Sequence, residues 1–352
     1  MKPLHTSKLQ TFAITSPTPC QQALLVIFAT SAATLAFQFL HNIINPTTGE
    51  EIFTRRGVPI ASIETEGDSR VRRIFSILKK SSAGDAAFKY AAEHRINFQW
   101  MRKGQMPSAL ASYTPGLVRT RTDDTDHSIV HTISHEIRHG QQDHEIQSIL
   151  LLNDDPDFVY TLNVLNEVDS CAYAANLTAQ HKDQTGVLIA QSHRGYGAKT
   201  AMKYTLTPQT KRRFFEDAVL PCFDELKDTP YRQMAMKKAK SGAEAASHLS
   251  DFIKKNPALL PHYEAKLVPV SDQDKVALYK RFFTPDMKEG SALPEIENMK
   301  HEDRLAWFRE MTRTPEIARE LDTLSDKFAK GHEEFRTLKT VSLYGNPSLP
   351  RP

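Results

Sequence analysis

The stretch HTISHEIRHGQQDHE, residues 131–145, contains the spacing H-E-x-x-H at His135, Glu136 and His139. In an α-helix of about 3.6 residues per turn, positions four apart lie on one face, so the two imidazoles can approach the same metal ion. Glu136 then lies beside the ion, where a carboxylate can accept a proton from a metal-bound water. The spacing therefore predicts a zinc hydrolase site in which Glu136 is the general base.

The flanking sequence favours a helix over this stretch. Asp126 is suited to be its N-cap, and Gly140 is expected to end or bend it. A helical apolar stripe is formed by Ile129, Val130, Ile133 and Ile137. An alternative stays open, because histidines recur every four residues at 127, 131, 135 and 139, as they would on a solvated polar stripe.

A catalytic zinc site normally needs a third protein ligand and leaves its fourth position to water. Residues 155–180 predict a later helix, opened by Asp155 and Pro156. Its apolar face consists of Val159, Leu162, Leu165, Val168, Ala172 and Ala175. Glu167 interrupts this pattern, and a carboxylate there is costly to bury unless it is paired or metal-bound. Glu167 is the leading candidate for the third ligand; the alternative is that it faces solvent.

Three further residues are candidates for supporting the ligands. Asp169 and Asn166 flank Glu167 closely enough to orient an imidazole N–H. His131 lies one turn before His135 and can support the ligands by contacting them. The alternative is that it belongs to the exposed stripe of histidines.

The block from Arg70 to Gln191 resembles a bacterial family of metallopeptidases known only as a domain of unknown function. It is also similar, more distantly, to the minimal gluzincins of the ImmA/IrrE type. The resemblance rests on four successive parts: a helix, a short β-hairpin, the H-E-x-x-H helix and a helix bearing E-x-D/N-x-x-A. Here these parts are residues 69–96, 96–122, 134–142 and 166–176.

The resemblance implies that His135, His139 and Glu167 hold one Zn²⁺ per chain and that Glu136 is the general base. Two features depart from the family pattern. Cys171 stands where these families often have a larger apolar residue, and residues 191–204 match nothing in them.

A peptidase of this kind needs a donor for the oxyanion that forms at the scissile carbonyl. The candidate donors are Tyr113, Tyr173, Tyr196 and His193, with His144 and Arg194 as further sources. The loop SHRGYG, residues 192–197, is either a lid over the cleft or an ordinary surface loop. Among residues 96–122, a strand is expected either to pair with an extended substrate or only to cover the active-site helix.

Composition bounds the class of protein. A formal charge of +3 with 25% charged residues is too balanced to indicate nucleic acid binding, and 40% hydrophobic content is ample for a core. The three cysteines, Cys20, Cys171 and Cys222, are widely spaced without a C-x-x-C pattern, which favours a reducing compartment and excludes a cysteine-ligated zinc site. A cytoplasmic protein is expected.

The uncharged run ALLVIFATSAATLAFQFL, residues 23–40, leaves three alternatives open. Its length just reaches the transmembrane threshold of about 18 residues. It is a buried helix, a membrane anchor or a secretory signal, in that order of preference.

The sequence as a whole predicts a predominantly helical α+β protein. Residues 1–60 form an N-terminal segment, 61–204 a zincin-like metallopeptidase domain with a small β-sheet, and 205–352 a helical C-terminal region. Helical periodicity in that region covers 208–227, 230–255, 271–284 and 301–333. The expected activity is hydrolysis of a peptide or protein substrate. Two rival hypotheses are an inactive zincin-like binding module and an all-helical interaction protein without metal.

Overall fold

A computed structural model describes residues 57–106, 109–150, 155–189, 197–206, 210–227, 229–256, 271, 275, 282–285 and 298–344. All of them belong to one unit, Arg56–Pro352. The apolar run 23–40, the loop 190–196 and most of 271–284 lie outside the described residues. The predicted three-part division of the chain stays a prediction.

The described part is mostly helical with one small sheet, as predicted for an α+β protein. Its first half contains β1 (Val58–Pro59), α1 (Ile63–Glu66), α2 (Ser69–Leu78), α3 (Ser82–Glu93), β2 (Asn97–Met101), β3 (Ala111–Thr114), β4 (Leu117–Arg121), α4 (Asp126–Leu150) and α5 (Pro156–Thr185). Its second half contains α6 (Ala198–Thr205), α7 (Lys211–Phe214), α8 (Leu220–Leu226), α9 (Pro230–Lys255), α10 (His301–Thr312) and α11 (Pro315–Tyr344). A π-helical turn, Phe215–Val219, joins α7 to α8.

The sheet has the strand order β1-β2-β4-β3. β2 and β4 are parallel, whereas β1 and β3 run antiparallel to their neighbours. The turn between β3 and β4 contains Gly116 at φ +75°, the left-handed backbone that a tight turn requires. This confirms the strands and the Pro115-Gly116 turn expected from the sequence, and it leaves β3 at the edge of the sheet.

Alternation in residues 53–67 predicts one or two short strands before α2. The described part of this segment contains one, Val58–Pro59, and the chain then turns helical from Ile60 to Glu66. Ile60 and Ile63 are both buried. Because two buried residues three apart face the same way only in a helical segment, burial selects helix here.

Helix α4 carries the H-E-x-x-H stretch, and its predicted apolar stripe is buried throughout. Its cap differs from the prediction: Thr125 Oγ1, 3.2 Å away, accepts from the backbone N–H of Ser128. Asp126 is the first helical residue and instead pairs with Arg70 and Arg73 of α2, at 2.8 and 2.6 Å. These ion pairs fix the start of α4 against α2.

Gly140 does not end α4, which continues to Leu150. A Cβ at Gly140 would lie 2.9 Å from Ile96 Cδ1 and 3.1 Å from Tyr113 Cε2. The glycine therefore serves close packing of α4 against the sheet, and the expected helix stop is wrong.

Helix α5 is the centre of the fold. It is capped by Asp155, as predicted, and 21 of its 30 residues are buried, so it is enclosed on most sides. Tyr173 and Leu177 join a core formed with the sheet and α2 to α4. Most of the other buried α5 side chains join a second core with helices of the C-terminal half.

The described C-terminal helices follow the predicted segments 208–227 and 230–255, whereas residues 282–284, the end of the predicted segment 271–284, are not helical. The stretch 301–333 is two helices, α10 and α11, separated at Arg313 and Thr314. Pro315 explains the break, because the residue before a proline is disfavoured in helical conformation. Within the described ranges, we find no helix whose length and apolarity would suit a membrane crossing.

Candidate metal centre

Two imidazoles of α4 and one carboxylate of α5 converge where these two helices pack on each other. His135 Nε2 and His139 Nε2 are 3.0 Å apart. Each lies 3.5 Å from an oxygen of Glu167. Tetrahedral zinc with bonds of about 2.0 to 2.1 Å separates its ligand atoms by about 3.3 Å. His135 faces Glu167 Oε2 and His139 faces Oε1, and one ligand atom from each of the three residues lies within 4.8 Å of the others, so the group could hold a metal ion.

The position of these side chains follows from the packing of the two helices. The apolar stripe of α4 faces the core that contains the sheet. His135 and His139, four residues apart on another face of α4, are thereby turned toward α5. Glu167 lies opposite them because it is the carboxylate within the otherwise buried middle of α5.

The polar atoms of this group also fit a cation. Glu167 Oε2 is buried and, in the described part of the chain, no group donates a hydrogen bond to it. The two Nε2 atoms, 3.0 Å apart, can share only one proton between them. Buried lone pairs on three converging atoms need either protons or a metal ion to be stable.

Without a metal ion, protons take that place. Burial lowers the pKa of His139, but the Glu167 carboxylate more than offsets it and raises the pKa to about 9. Burial raises the pKa of Glu167, but His139 and His135 outweigh it and the pKa lies well below its usual range. In the metal-free cluster a protonated His139 is thus paired with the Glu167 carboxylate, and a metal ion that binds there would have to displace the proton.

Glu136 is buried and lines the same cavity as the three converging side chains. Burial raises the pKa of its carboxyl, while the nearby His135 and His139 and the backbone N–H of Tyr113 act in the opposite direction. A buried carboxyl group with a raised pKa beside a candidate metal site is suited to proton transfer.

Gln142 orients the ring of His139. Its Oε1 lies 2.9 Å from His139 Nδ1, and because a carbonyl oxygen only accepts, the ring donates from Nδ1 and keeps the Nε2 lone pair for the cluster. Gln142 Nε2 donates to Asp169 Oδ2 at 2.6 Å and to the carbonyl of Asn166 at 3.0 Å. The amide is therefore held at both ends.

Asp169 supports the imidazole through Gln142, whereas a direct contact was expected. It is buried with Arg138, whose Nε donates to Asp169 Oδ2 at 2.6 Å. It also accepts from the backbone N–H of Phe283 at 2.6 Å. Phe283 has φ +62°, a left-handed backbone that non-glycine residues rarely adopt. The Thr284 hydroxyl accepts from Arg138 at 2.9 Å, so residues 283 and 284 both contact the buried Arg138–Asp169 pair.

The other two supporting candidates lie close by. Asn166 lines the cavity, and its side-chain Oδ1 is buried. His131 is buried one turn before His135. Because His131 is buried, the alternative of a solvated histidine stripe is wrong for the middle of α4.

The candidate oxyanion donors are scattered. Tyr113 lines the cavity, with its hydroxyl accepting from the N–H of Gly116 at 3.2 Å. The hydroxyl of Tyr173 donates to the carbonyl of Ala83 at 2.6 Å, in the core. His144 is exposed and packs edge-on against His94, at 4.7 Å between ring centroids. The remaining candidates, His193, Arg194 and Tyr196, lie outside the described residues.

The cluster opens into a cavity of about 340 Å³. One wall is formed by residues 111–113 of edge strand β3 and another by α4 and α5. Tyr231 and Lys238 of α9 also line it. The helical C-terminal half therefore contributes directly to the site.

Several site residues were missed from the sequence. Gln142, three residues after His139, and Cys171, four after Glu167, share a helix face with a ligand, and that spacing could have found them. Both thiols are buried, and the neighbouring Cys222 together with burial raises the pKa of Cys171 well above its usual range. The contacts from α9 and residues 282–285 carry no comparable local signal.

No family model, no curated protein and no solved structure matches this chain. The site is therefore interpreted from its own chemistry.

Proposed function

We propose that this protein is a zinc-dependent metallopeptidase of the zincin type. The observation that carries the proposal is the convergence of His135, His139 and Glu167, with Glu136 beside them, at the wall of an open cavity. The succession of helix, small sheet, H-E-x-x-H helix and carboxylate-bearing helix supports the gluzincin-like assignment.

Zinc is favoured by the donor set. Two imidazole nitrogens and one carboxylate oxygen are the ligands of several catalytic zinc sites, which leave the fourth position to water. The same donors also bind iron(II) in oxygenases. The buried carboxylate of Glu136, which hydrolysis uses and oxygen chemistry does not require, favours zinc. When bound, zinc would act as a Lewis acid and lower the pKa of a water to about 7.

The protein's own groups then have distinct tasks. Glu136 accepts a proton from the attacking water and later delivers it to the leaving amine. Gln142 keeps the Nε2 of His139 aimed at the cluster. Edge strand β3, whose residues line the cavity, is suited to pair with an extended peptide backbone. These roles together describe hydrolysis of a peptide bond.

Metal analysis of the purified protein is the first test. We expect one zinc per chain, lost in His139→Ala and retained in His127→Ala, a matched control on the same helix. A wild-type protein without stoichiometric metal would contradict the proposal and favour an interaction protein without a metal site.

Hydrolysis of an unfolded protein is the second test. Glu136→Gln should keep its zinc and lose hydrolysis, because the amide cannot accept the proton. Hydrolysis retained by this variant would refute the assigned base. Zinc binding without hydrolysis by the wild type would instead favour the inactive binding module.

A further inference from the structure

We infer that Lys238 binds a carboxylate of the substrate, so that the cavity selects peptides with an acidic group near the scissile bond. This inference rests on the proposed function and names the substrate class of the same site. It is carried by the position, anchoring and charge of Lys238.

Lys238 is held at the wall of the cavity that contains the metal cluster. Its Nζ donates to Asn163 Oδ1 at 2.7 Å. Asn163 Nδ2 in turn donates to the carbonyl of Val159 at 2.7 Å, which fixes the amide with its oxygen toward Lys238. Lys238 is an exposed residue, and this hydrogen bond holds its ammonium group beside the cavity before any ligand binds.

The anchor is neutral, so it leaves the charge of Lys238 uncompensated. Within the described ranges, Lys238 has no carboxylate partner, whereas Lys240 and Lys254 on the same helix pair with Glu320 and Asp251. An ammonium group has three donors, and Asn163 uses one of them. Two donors and a full positive charge remain for a ligand in the cavity.

The anchor also places Lys238 near the reacting centre. Asn163 lies four residues before Glu167 on α5, about one helical turn or 6 Å along the axis. The carboxylate that Lys238 contacts is therefore expected within a few residues of the scissile bond.

The other charged groups of the cavity favour this side for an anion. Glu136 and Glu167 belong to the metal cluster, and Asp143 lies on α4, where its charge raises the pKa of Tyr113 together with the larger effect of burial. The α9 wall is thus the cationic one. A side-chain carboxylate of Asp or Glu and the terminal carboxylate of the peptide both fit it.

The test measures peptide binding separately from turnover. The proteins are zinc-loaded Glu136→Gln, alone and combined with Lys238→Met, Lys238→Glu or Lys237→Glu. Lys237, exposed like Lys238 but not among the residues that line the cavity, is the matched control on α9. The probes are mixed-sequence decapeptides carrying a neutral fluorophore, in three pools: untreated, amidated only at the C-terminus, and amidated at every carboxyl group.

We expect zinc-loaded Glu136→Gln, in which Lys238 is unchanged, to bind the untreated pool about fivefold more tightly than the fully amidated pool. The ratio should fall to about one in Lys238→Met, invert in Lys238→Glu and stay unchanged in Lys237→Glu. A preference that persists with the C-terminally amidated pool assigns side-chain carboxylates, and one that disappears assigns the terminus.

Two results overturn the inference: equal binding of the three pools by Glu136→Gln alone, or a ratio of untreated to fully amidated binding that is unchanged when Lys238→Met is added. Failure of the proposed function would look different. A wild type that hydrolyses nothing but retains the Lys238-dependent ratio would refute the peptidase and keep the anion subsite.

Discussion

Replacing Gln142 with methionine tests whether this residue orients a metal ligand. The change keeps a similar side-chain volume and removes both polar ends of the amide. His139 Nδ1 then loses the acceptor at 2.9 Å, although Ser170 Oγ, 3.2 Å from the same nitrogen, remains. Loss of such a partner typically lowers metal affinity about 10- to 100-fold. Because Ser170 can still accept, we expect about tenfold weaker zinc binding, or about 1.4 kcal/mol.

The same change should destabilise the metal-free protein. Gln142 Nε2 donates to the charged Asp169 at 2.6 Å, a kind of hydrogen bond worth about 1.5 to 3 kcal/mol. It also donates to the carbonyl of Asn166 at 3.0 Å, worth about 1 kcal/mol. Methionine recovers part of this through apolar contacts, so a net loss of about 2 to 3 kcal/mol in the free energy of unfolding is expected.

Zinc affinity is measured by competition with a chromophoric chelator, and stability by urea unfolding of the metal-free protein. Thr178→Val is the control. Thr178 donates to the carbonyl of Ala175 at 2.8 Å within α5, away from the cluster. It should lose about 1 kcal/mol of stability and keep its zinc affinity. If Gln142→Met bound zinc within twofold of the wild type, the orienting role would be wrong.

Four further predictions concern protonation and packing. Since the pKa of His139 is raised to about 9 without metal, zinc must displace a proton below that pH; zinc affinity should rise with pH up to about 9, and calorimetry in buffers of different ionisation enthalpy should detect proton release at pH 7. By linkage, this ion pair stabilises the metal-free protein below about pH 6.5. The stabilisation should then be lost as pH rises to about 9, and a flat urea midpoint over that interval would contradict it. Arg138→Met should lower the free energy of unfolding by about 3 kcal/mol because it strands the buried Asp169, and a loss under 1 kcal/mol would show that the pair is unimportant. Gly84→Ala should cost at least about 2 kcal/mol by thermal unfolding, since its Cβ would lie 1.9 Å from the Leu78 carbonyl oxygen, and an unchanged melting temperature would contradict that clash.

The parts that the sequence predicted well are those with short-range periodicity. The helix around His135, the hairpin at Pro115-Gly116 and the apolar face of α5 each follow from spacing over a few residues. Glu167 was identified because a carboxylate within an apolar helical run is costly without a partner, and the structure brings it to within 3.5 Å of both imidazoles. Local physics therefore named Glu167 with a solvent-facing position as the alternative, and the resemblance to the gluzincins favoured Glu167 as a ligand.

The errors arise where distant contacts override local preference. Asp126 is a good N-cap by type, but Arg70 and Arg73 engage it and the cap passes to Thr125. Gly140 is a typical helix terminator, yet its role is set by the approach of Tyr113 and Ile96. Neither partner could be inferred without the packing of α4 on α2 and the sheet.

The contact between residues 282–285 and the buried Arg138–Asp169 pair limits how the chain can be divided. A fragment that ended with α6, at Thr205, would still contain every predicted ligand and the base. It would lack the Phe283 amide and the Thr284 hydroxyl, which lie 2.6 and 2.9 Å from that pair, and would open two strongly polar groups to water. A shortened protein built around the H-E-x-x-H stretch alone would thus lack part of the support behind His139, and trimming this protein for engineering has to spare its distal half.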